Sequence, residues 1–379
     1  MRRLTKPLPN RQRRANALGI IVCSTNKYPP FSERVYYEQL SRIGRRLGIA
    51  VVVFSPKHID WRTRRVRGYR HHHATNKWVK VETDIPGVIY DRCFYVTSAH
   101  YLSYKPYVQL IERDPFTELL GLSLKGKWQL AQIVSRAPNL TAYMPSTERY
   151  TKPTDAEKYL HQYGAFVAKP SGGSQGNGIV AIFHHKQGNT YAVLGRSKKN
   201  EPLAHTFATE TTTFAWLHQF IGKSRYILQP YLHLHTPDNT PFDVRALMQK
   251  DERRTWQLTG MAVRTGNRRS LTSNLHGGGK AEPFAPFLHK LSFDAETMRQ
   301  IERHVHTICK EVPPLIEREH GRLCELGIDI GIDRQGRVWL LEVNSKPGRH
   351  SFQQAGTKDI YYTAVKRPML YAHSLLQSK

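Results

Sequence analysis

The chain has 379 residues, 39% of them hydrophobic, four cysteines and a formal net charge of +27. That suits two or three packed domains rather than a disordered polymer. It excludes a membrane span, which needs roughly 20 consecutive apolar residues. The basic N-terminus lacks the apolar core of a secretory signal, and the scattered Cys23, Cys93, Cys309 and Cys324 make no Cys-x-x-Cys pair, so neither a zinc site nor a disulfide framework is supported. A soluble, cytoplasmic protein with no membrane partner is expected.

Residues 1–17 are a basic arm with Arg2, Arg3, Lys6, Arg11, Arg13 and Arg14 and no acid. Residues 18–22 read as a buried strand. Tyr36, Leu40, Ile43 and Leu47 recur on one helical face, and 49–54 read as a second strand, so a parallel α/β unit is expected. The segment 57–80 then interrupts the core pattern. It holds a second basic cluster, Arg62, Arg64, Arg65, Arg67 and Arg70, and the run His71–His73, expected as exposed loop histidines rather than metal ligands. Residues 88–92 read as a third strand, closing an N-terminal α/β domain over 18–121.

Past a glycine, residues 124–134 open a helix. Residues 166–170 form a strand that runs into Ser171-Gly-Gly-Ser-Gln-Gly-Asn-Gly178, and 179–183 return from it. The glycine loop is thus a hairpin tip, which excludes a dinucleotide fold or P-loop, both of which need a helix next. Strands are expected at 226–232, 243–248 and 256–263, and a helix over 295–310 capped by Asp294. Two further strands, 327–333 and 339–344, are joined by Asp333-Arg-Gln-Gly336. The last residues, 353–379, read as a basic tail or helix. There is no internal repeat.

The closing hairpin carries the sharpest chemistry. Glu342 and Asn344 are two apart on a strand and share a face, and the turn brings Asp329 beside them. Two carboxylates and an amide oxygen suit magnesium; solvated acids on edge strands are the plainer alternative. The glycine loop, with four glycines in eight residues, lets backbone N–H groups approach phosphate oxygens. Its Ser174, Gln175 and Gly176 are candidate contacts, with Lys169 and the upstream Lys127 as phosphate cations. Gln229-Pro-Tyr231 breaks a strand ladder and frees backbone groups for an adenine edge. Asp243 and Arg245 share a strand face, Arg264 ends another strand, and Ser273 and Asn274 open a second glycine run.

Together, in this order, these elements resemble the ATP-grasp superfamily over residues 122–352, with Asp243-Val-Arg245 and Ser273-Asn-Leu-His-Gly-Gly similar to its RimK-type amino-acid ligases. With Tyr90-Asp-Arg92 and Pro347-Gly-Arg349 included, the whole chain resembles the YheC/YheD group of endospore coat-associated proteins. The resemblance implies an N-terminal parallel α/β pre-grasp domain followed by a two-subdomain ATP-grasp fold. It implies that Lys127 and Lys169 contact ATP phosphates and adenine, that the glycine hairpin covers the phosphates, and that the backbone at Gln229 and Tyr231 holds adenine. Asp243 would lie near the ribose, Ser273 and Asn274 near the phosphates, and Asp329, Glu342 and Asn344 would bind magnesium.

The implied activity is a carbon–nitrogen ligase that joins a carboxylate, of an amino acid or acidic peptide, to an amine through an acylphosphate. Lys169 and Arg264 would be the catalytic cations, and the setting would be spore-associated. Many ligases of this superfamily carry an arginine two residues before the first metal acid, where this chain has Gly327. The alternative is a non-catalytic, spore coat-associated binding or structural protein on the same scaffold, its basic surface gripping an anionic polymer or acidic coat protein. A nucleic-acid role has the basic clusters but no recognition motif.

Overall fold

The computed structural model describes residues 16–124, 126–173, 176–267 and 279–378. The chain divides into two compact units. One takes the described residues up to Leu122, Lys250–Thr255 and the chain from Val365; the other takes Ser123–Gln249 and Trp256–Ala364.

The first unit contains β1 (Ala17–Ile21), α1 (Arg34–Arg46), β2 (Ala50–Phe54), β3 (Ile59–Asp60), β4 (Arg65–His72), β5 (Lys77–Asp84), β6 (Val88–Asp91), α2 (Ser98–Arg113) and β7 (Glu118–Leu120). Strands β2, β1, β6 and β7 are parallel neighbours. The aliphatic runs of β1, β2 and β6 are buried almost without interruption, as a sheet covered on both faces requires. Helix α2 was not legible from periodicity, because Pro106 stands inside it. Its cap is local: the Thr97 hydroxyl accepts the His100 N–H at 3.1 Å.

The basic segment expected to interrupt this core instead extends it. Strands β3, β4 and β5 add antiparallel to the β2 edge. Two of its arginines are held by acids: Arg64 forks onto Asp114 at 2.9 and 3.1 Å, and Arg65 reaches Glu82 and Asp84. His71 is not an exposed loop residue. It lies on β4, 3% exposed, with its ring 5.3 Å from that of Trp78, because strand alternation turns it onto the covered face of the hairpin.

The second unit is built on two antiparallel sheets. It contains α3 (Lys127–Val134), α4 (Pro138–Thr141), β8 (Glu148–Tyr150), α5 (Pro153–Tyr163), β9 (Ala165–Pro170), β10 (Val180–His185), β11 (Thr190–Arg196), β12 (Pro202–Phe207), α6 (Glu210–Ile221) and β13 (Tyr226–Pro230). There follow β14 (Phe242–Lys250), β15 (Trp256–Thr265), β16 (Lys280–Pro283), α7 (Phe284–Leu288), α8 (Ala295–His320), β17 (Glu325–Ile332), β18 (Val338–Asn344) and α9 (His350–Gln354); the last helix, α10 (Lys358–Gln377), belongs to this unit up to Ala364 and to the first from Val365. One sheet runs β12-β11-β10-β9-β13-β8, the other β16-β15-β14-β17-β18.

Helices α5 and α6 bury Tyr159, Leu160, Phe214 and Leu217 against Phe166, Ala168, Val180 and Leu228 of the first sheet. The long α8 buries Ile301, Val305, Ile308 and Val312 against Val244, Ala246, Ile328 and Ile330 of the second. It continues ten residues past its expected end, through Pro313 and Pro314, since Leu315 and Ile316 keep the apolar stripe on the sheet. Of the two readings of the C-terminal segment, tail or helix, the helix is found, as α10. The basic arm lies outside the described residues.

Candidate functional site

The site begins with alternation on the five-stranded sheet. Residues 244, 246 and 248 of β14 and 326, 328, 330 and 332 of β17 point into the α8 core. Asp243, Arg245 and Gln249, with Glu325 and Asp329, therefore occupy the opposite face. On β18 a one-residue bulge intervenes. Asp329 pairs with Glu342 but Ile330 pairs with Leu340, so Leu341 is the extra residue. Leu340 and Val343 both serve the core, while Glu342 and Asn344 turn to the polar face. Without the bulge, Glu342 would share the buried face of Leu340. Asp329 and Glu342 thus stand directly opposite each other, and Asn344 lies opposite Gly327.

Two arginines hold the acids of this face. Arg245 is the direct neighbour of Asp329 across the β14–β17 ladder, and its Nε and Nη2 both donate to that carboxylate, Nη2 at 3.0 Å. Arg264 donates Nε and Nη2 to Asp243, each at 2.7 Å, and its Nη2 also lies 3.0 Å from Asp329 Oδ2. Acid and base alternate across three strands. Burial works against the Asp329 charge, but Arg245 and then Arg264 outweigh it and hold its pKa below the ordinary aspartate range. Burial likewise opposes the Arg264 charge, and Asp243 and Asp329 outweigh it, raising that pKa. The sequence pattern showed that Arg245 shares a face with Asp243; it did not show that these forks would be spent on the chain's own carboxylates.

The six-stranded sheet contributes the glycine hairpin. Strands β9 and β10 pair antiparallel, Ala168 opposite Val180, so residues 171–178 are the connection between them. The start of α3 docks against this tip. The Lys127 N–H donates to Ser171 O at 2.7 Å, and Lys127 Nζ donates to Gly173 O at 3.0 Å. The same Nζ lies 3.5 Å from Glu342 Oε1. One lysine therefore joins the glycine hairpin to the carboxylate face.

Gly126 makes the docking feasible, since a Cβ there would sit 2.3 Å from Ser171 O. Gly126→Ala is expected to cost about 1–3 kcal/mol, as overpacking does, and to weaken binding of any ligand that needs Lys127 at the hairpin. Urea denaturation, with nucleotide titration of the same variant, checks it.

Lys169 lies on β9 with Val167, on the face away from the α5–α6 core. Burial first and Lys127 second lower its pKa to about 8, with Glu342 offsetting part of the shift. Gln229 is not on an edge: β13 runs between β9 and β8. Its side chain donates to Thr147 Oγ1 at 2.7 Å. The Tyr231 N–H is committed to Ala165 O at 3.1 Å, so this tyrosine offers no spare backbone donor; the strand leaves its ladder here, and the next amide along is that of Leu232. Gly176 is described, at φ 77°. Ser174, Gln175, Ser273 and Asn274 lie outside the described residues. The structure thus gathers Lys127, Lys169, Asp329, Glu342 and Asn344, links Asp243 and Arg264 to them through Asp329, and leaves Gln229 and Tyr231 at the far end of β13.

Among the described residues no three His, Cys, Asp or Glu side chains cluster as a metal centre. The set here has two carboxylates and an amide. Asp329 has given both oxygens to arginine, whereas the Glu342 side chain is 27% exposed and pairs with the Lys127 ammonium at 3.5 Å. This donor set does not build an all-protein cage, but it fits magnesium, which keeps waters and takes one or two carboxylates together with substrate phosphates.

A family model described as YheC/D like ATP-grasp matches residues 117–375. The endospore coat-associated protein YheC of Bacillus subtilis (strain 168) is 30% identical over 90% of this chain and 93% of its own length. YheD of the same strain is 23% identical over 91% of this chain and 75% of its own. Among solved structures, D-cycloserine synthetase DcsG superposes with a TM-score of 0.54 at 12% identity, covering 96% of this chain and 99% of that one. N5-carboxyaminoimidazole synthetase from Staphylococcus aureus gives 0.52 at 11% identity, covering 96% of this chain and 78% of that one. The fold is that of the ATP-grasp proteins, and the chain belongs to the YheC/D-like ATP-grasp family.

Proposed function

We propose that the chain binds ATP with magnesium on the face shared by the glycine hairpin and the Asp329–Glu342 pair, and that it joins a carboxylate to an amine there. The observation that carries this reading is Lys127, whose ammonium touches both the hairpin carbonyl of Gly173 and the Glu342 carboxylate. A cation between a glycine hairpin and an acid pair suits a bridged polyphosphate.

In this reading Lys127 and Lys169 hold phosphate oxygens, and Ser174, Gln175, Gly176, Ser273 and Asn274 approach them from the two glycine segments. Adenine rests at the end of β13 by Gln229 and Tyr231, and Asp243 faces the ribose side. Glu342, Asn344 and the remaining lone pairs of Asp329 would hold magnesium, which when bound neutralises phosphate charge. Arg264 is the cation proposed to meet the transferring phosphoryl group or the tetrahedral adduct, with Asp243 fixing its guanidinium plane. No side chain is asked to be a nucleophile; positioning and charge complementarity carry the chemistry. Amino acids and acidic peptides are the proposed carboxylates, and the names of the relatives support an association with the endospore coat.

Calorimetry of the full chain with ATP, with and without magnesium, tests the binding, and phosphate release across amino acids and acidic peptides tests the ligation. A folded chain that binds no nucleotide with magnesium present overturns the reading.

A second reading has its own support in the first unit. Arg42, Arg45 and Arg46 at the end of α1 and Arg70, Lys77 and Lys80 on β4 and β5 are exposed or largely so, and no ion pair to them is found among the described residues. This surface is proposed to hold an anionic polymer or acidic coat protein. Association that weakens steeply with salt and survives Glu342→Ala supports it; salt-insensitive association, or none, overturns it.

A further inference from the structure

A second buried polar group lies on the same sheet face, four residues down β17 from Asp329. Glu325 is 0% exposed. Its Oε2 accepts from Arg349 Nη2 at 2.5 Å and from Gln249 Nε2 at 2.8 Å. Gln249 also donates to Ala364 O at 2.9 Å and accepts from the Thr259 hydroxyl at 2.8 Å. Arg349 closes the circuit on its own loop, donating Nη1 to Pro347 O at 2.9 Å.

Between this group and the Asp329 arginines sits Gly327. A Cβ there would come 2.9 Å from Pro347 Cβ and 3.4 Å from Arg245 Nη1. The segment 345–349, leaving β18 just past Asn344, therefore folds back onto the sheet between the two polar groups. On the way, Lys346 Nζ donates to Ser123 Oγ at 3.0 Å, at the approach to α3. The loop ties the strand of Glu342 and Asn344 to the segment that presents Lys127.

Packing alone is a poor reason for this arrangement, because a buried ion pair is weak evidence for stability and well-packed apolar residues often serve as well. Deepening the ATP–magnesium reading above, on which it rests, we propose that Arg349 is a positioning residue. By gripping Glu325 and the Pro347 carbonyl together, it fixes the return loop and so holds the Asn344 amide oxygen and Lys346 in place beside Glu342. An uncharged amide ligand gains most from such fixing, since it lacks the charge that draws a carboxylate toward a cation.

The test is the full-length Glu325→Met/Arg349→Met double variant, which removes both charges at once. Its ATP affinity is measured with and without magnesium, alongside its thermal unfolding. The expected result is a folded protein whose magnesium-free ATP affinity stays within about 2-fold of wild type. The tightening that magnesium confers should fall by roughly 10–100-fold, as when outer-shell partners of a metal site are lost. Arg349→Lys, which keeps the charge but cannot span Glu325 and Pro347 O together, should give an intermediate loss. If the double variant fails to fold, Arg349→Lys alone carries the comparison. A variant with wild-type magnesium tightening overturns this inference and leaves the ATP reading standing. A wild-type chain that binds no nucleotide overturns both.

Discussion

Asp329→Ala is expected to destabilise the protein by about 3–5 kcal/mol, the cost of removing one partner from a buried ion pair, whereas Glu342→Ala should change stability by less than about 1 kcal/mol. The two acids face each other across one ladder, yet their surroundings differ. Asp329 balances two largely buried guanidinium groups, Arg245 and Arg264. Its loss leaves Arg245 without the carboxylate it forks onto and Arg264 with the Asp243 pair. Glu342 is more exposed, and among the described residues it pairs with Lys127 at 3.5 Å. The functional consequence runs the other way. Glu342→Ala removes a negative charge from beside Lys127 and Lys169, so ATP without magnesium should bind as well or more tightly, while the gain from magnesium should disappear. Urea denaturation and paired titrations measure both effects. Magnesium-dependent tightening that persists in folded Glu342→Ala would remove the metal assignment, and an Asp329→Ala cost below about 1 kcal/mol would remove the arginine network as a stabilising unit.

The contrast shows what a sequence can and cannot display. Local rules suffice for β1, β2, β9, β10 and the β17–β18 hairpin, where apolar runs, a glycine tip and the Asp333–Gly336 turn each act over a few residues. The Asp333 carboxylate accepts the N–H groups of Gln335 and Arg337 to close that turn. Helices α2, α5 and α6 are not legible by such rules, for different reasons. Pro106 interrupts α2, while Pro153 at the first turn of α5 is a start signal that reads easily as a break. In α6 the three threonines Thr211–Thr213 favour strand by propensity, and burial of Phe214, Leu217 and Ile221 decides for helix.

At the site, residue types were legible and their partners were not. Glu342 and Asn344 were placed on one face by counting, but the bulge at Leu341 that puts that face opposite Asp329 leaves no mark in the pattern. That Arg264 would fork onto Asp243, 21 residues away in the chain, and Arg245 onto Asp329, 84 away, depends on strand order. Gly327 looked like a missing arginine, and the fold supplies another reason for it: the Pro347 side chain occupies the space a Cβ would need.

The pH dependence of nucleotide affinity should carry the second large effect, and its source is Lys169. In the free protein, burial and the adjacent Lys127 lower its pKa from 10.5 to about 8, against a partial offset from Glu342. Nucleotide phosphates would bring negative charge to both lysines and raise that pKa again. Above about pH 8 the free protein has lost a proton that the complex retains, so binding takes up a proton, approaching one per nucleotide near pH 9. Affinity should then fall by up to about tenfold per pH unit. Below about pH 7 this residue contributes no uptake. Stability of the free chain runs the other way. An unfolded lysine keeps its proton to about pH 10.4, so between about 8 and 10.4 the unfolded state binds more protons and stability rises with pH. The shift corresponds to on the order of 3 kcal/mol across the window at 1.36 kcal/mol per unit. Calorimetry at pH 9 in buffers of different ionisation enthalpy measures the uptake, and urea denaturation at pH 7.5 and 10 measures the rise. Lys169→Met should abolish the first and flatten the second. Nucleotide affinity that stays level from pH 7 to 9.5 would show that Lys169 does not meet the phosphates. The opposed slopes are the signature of one largely buried ammonium that costs the free fold stability, is offset in part by Glu342 and would be stabilised further by a bound anion.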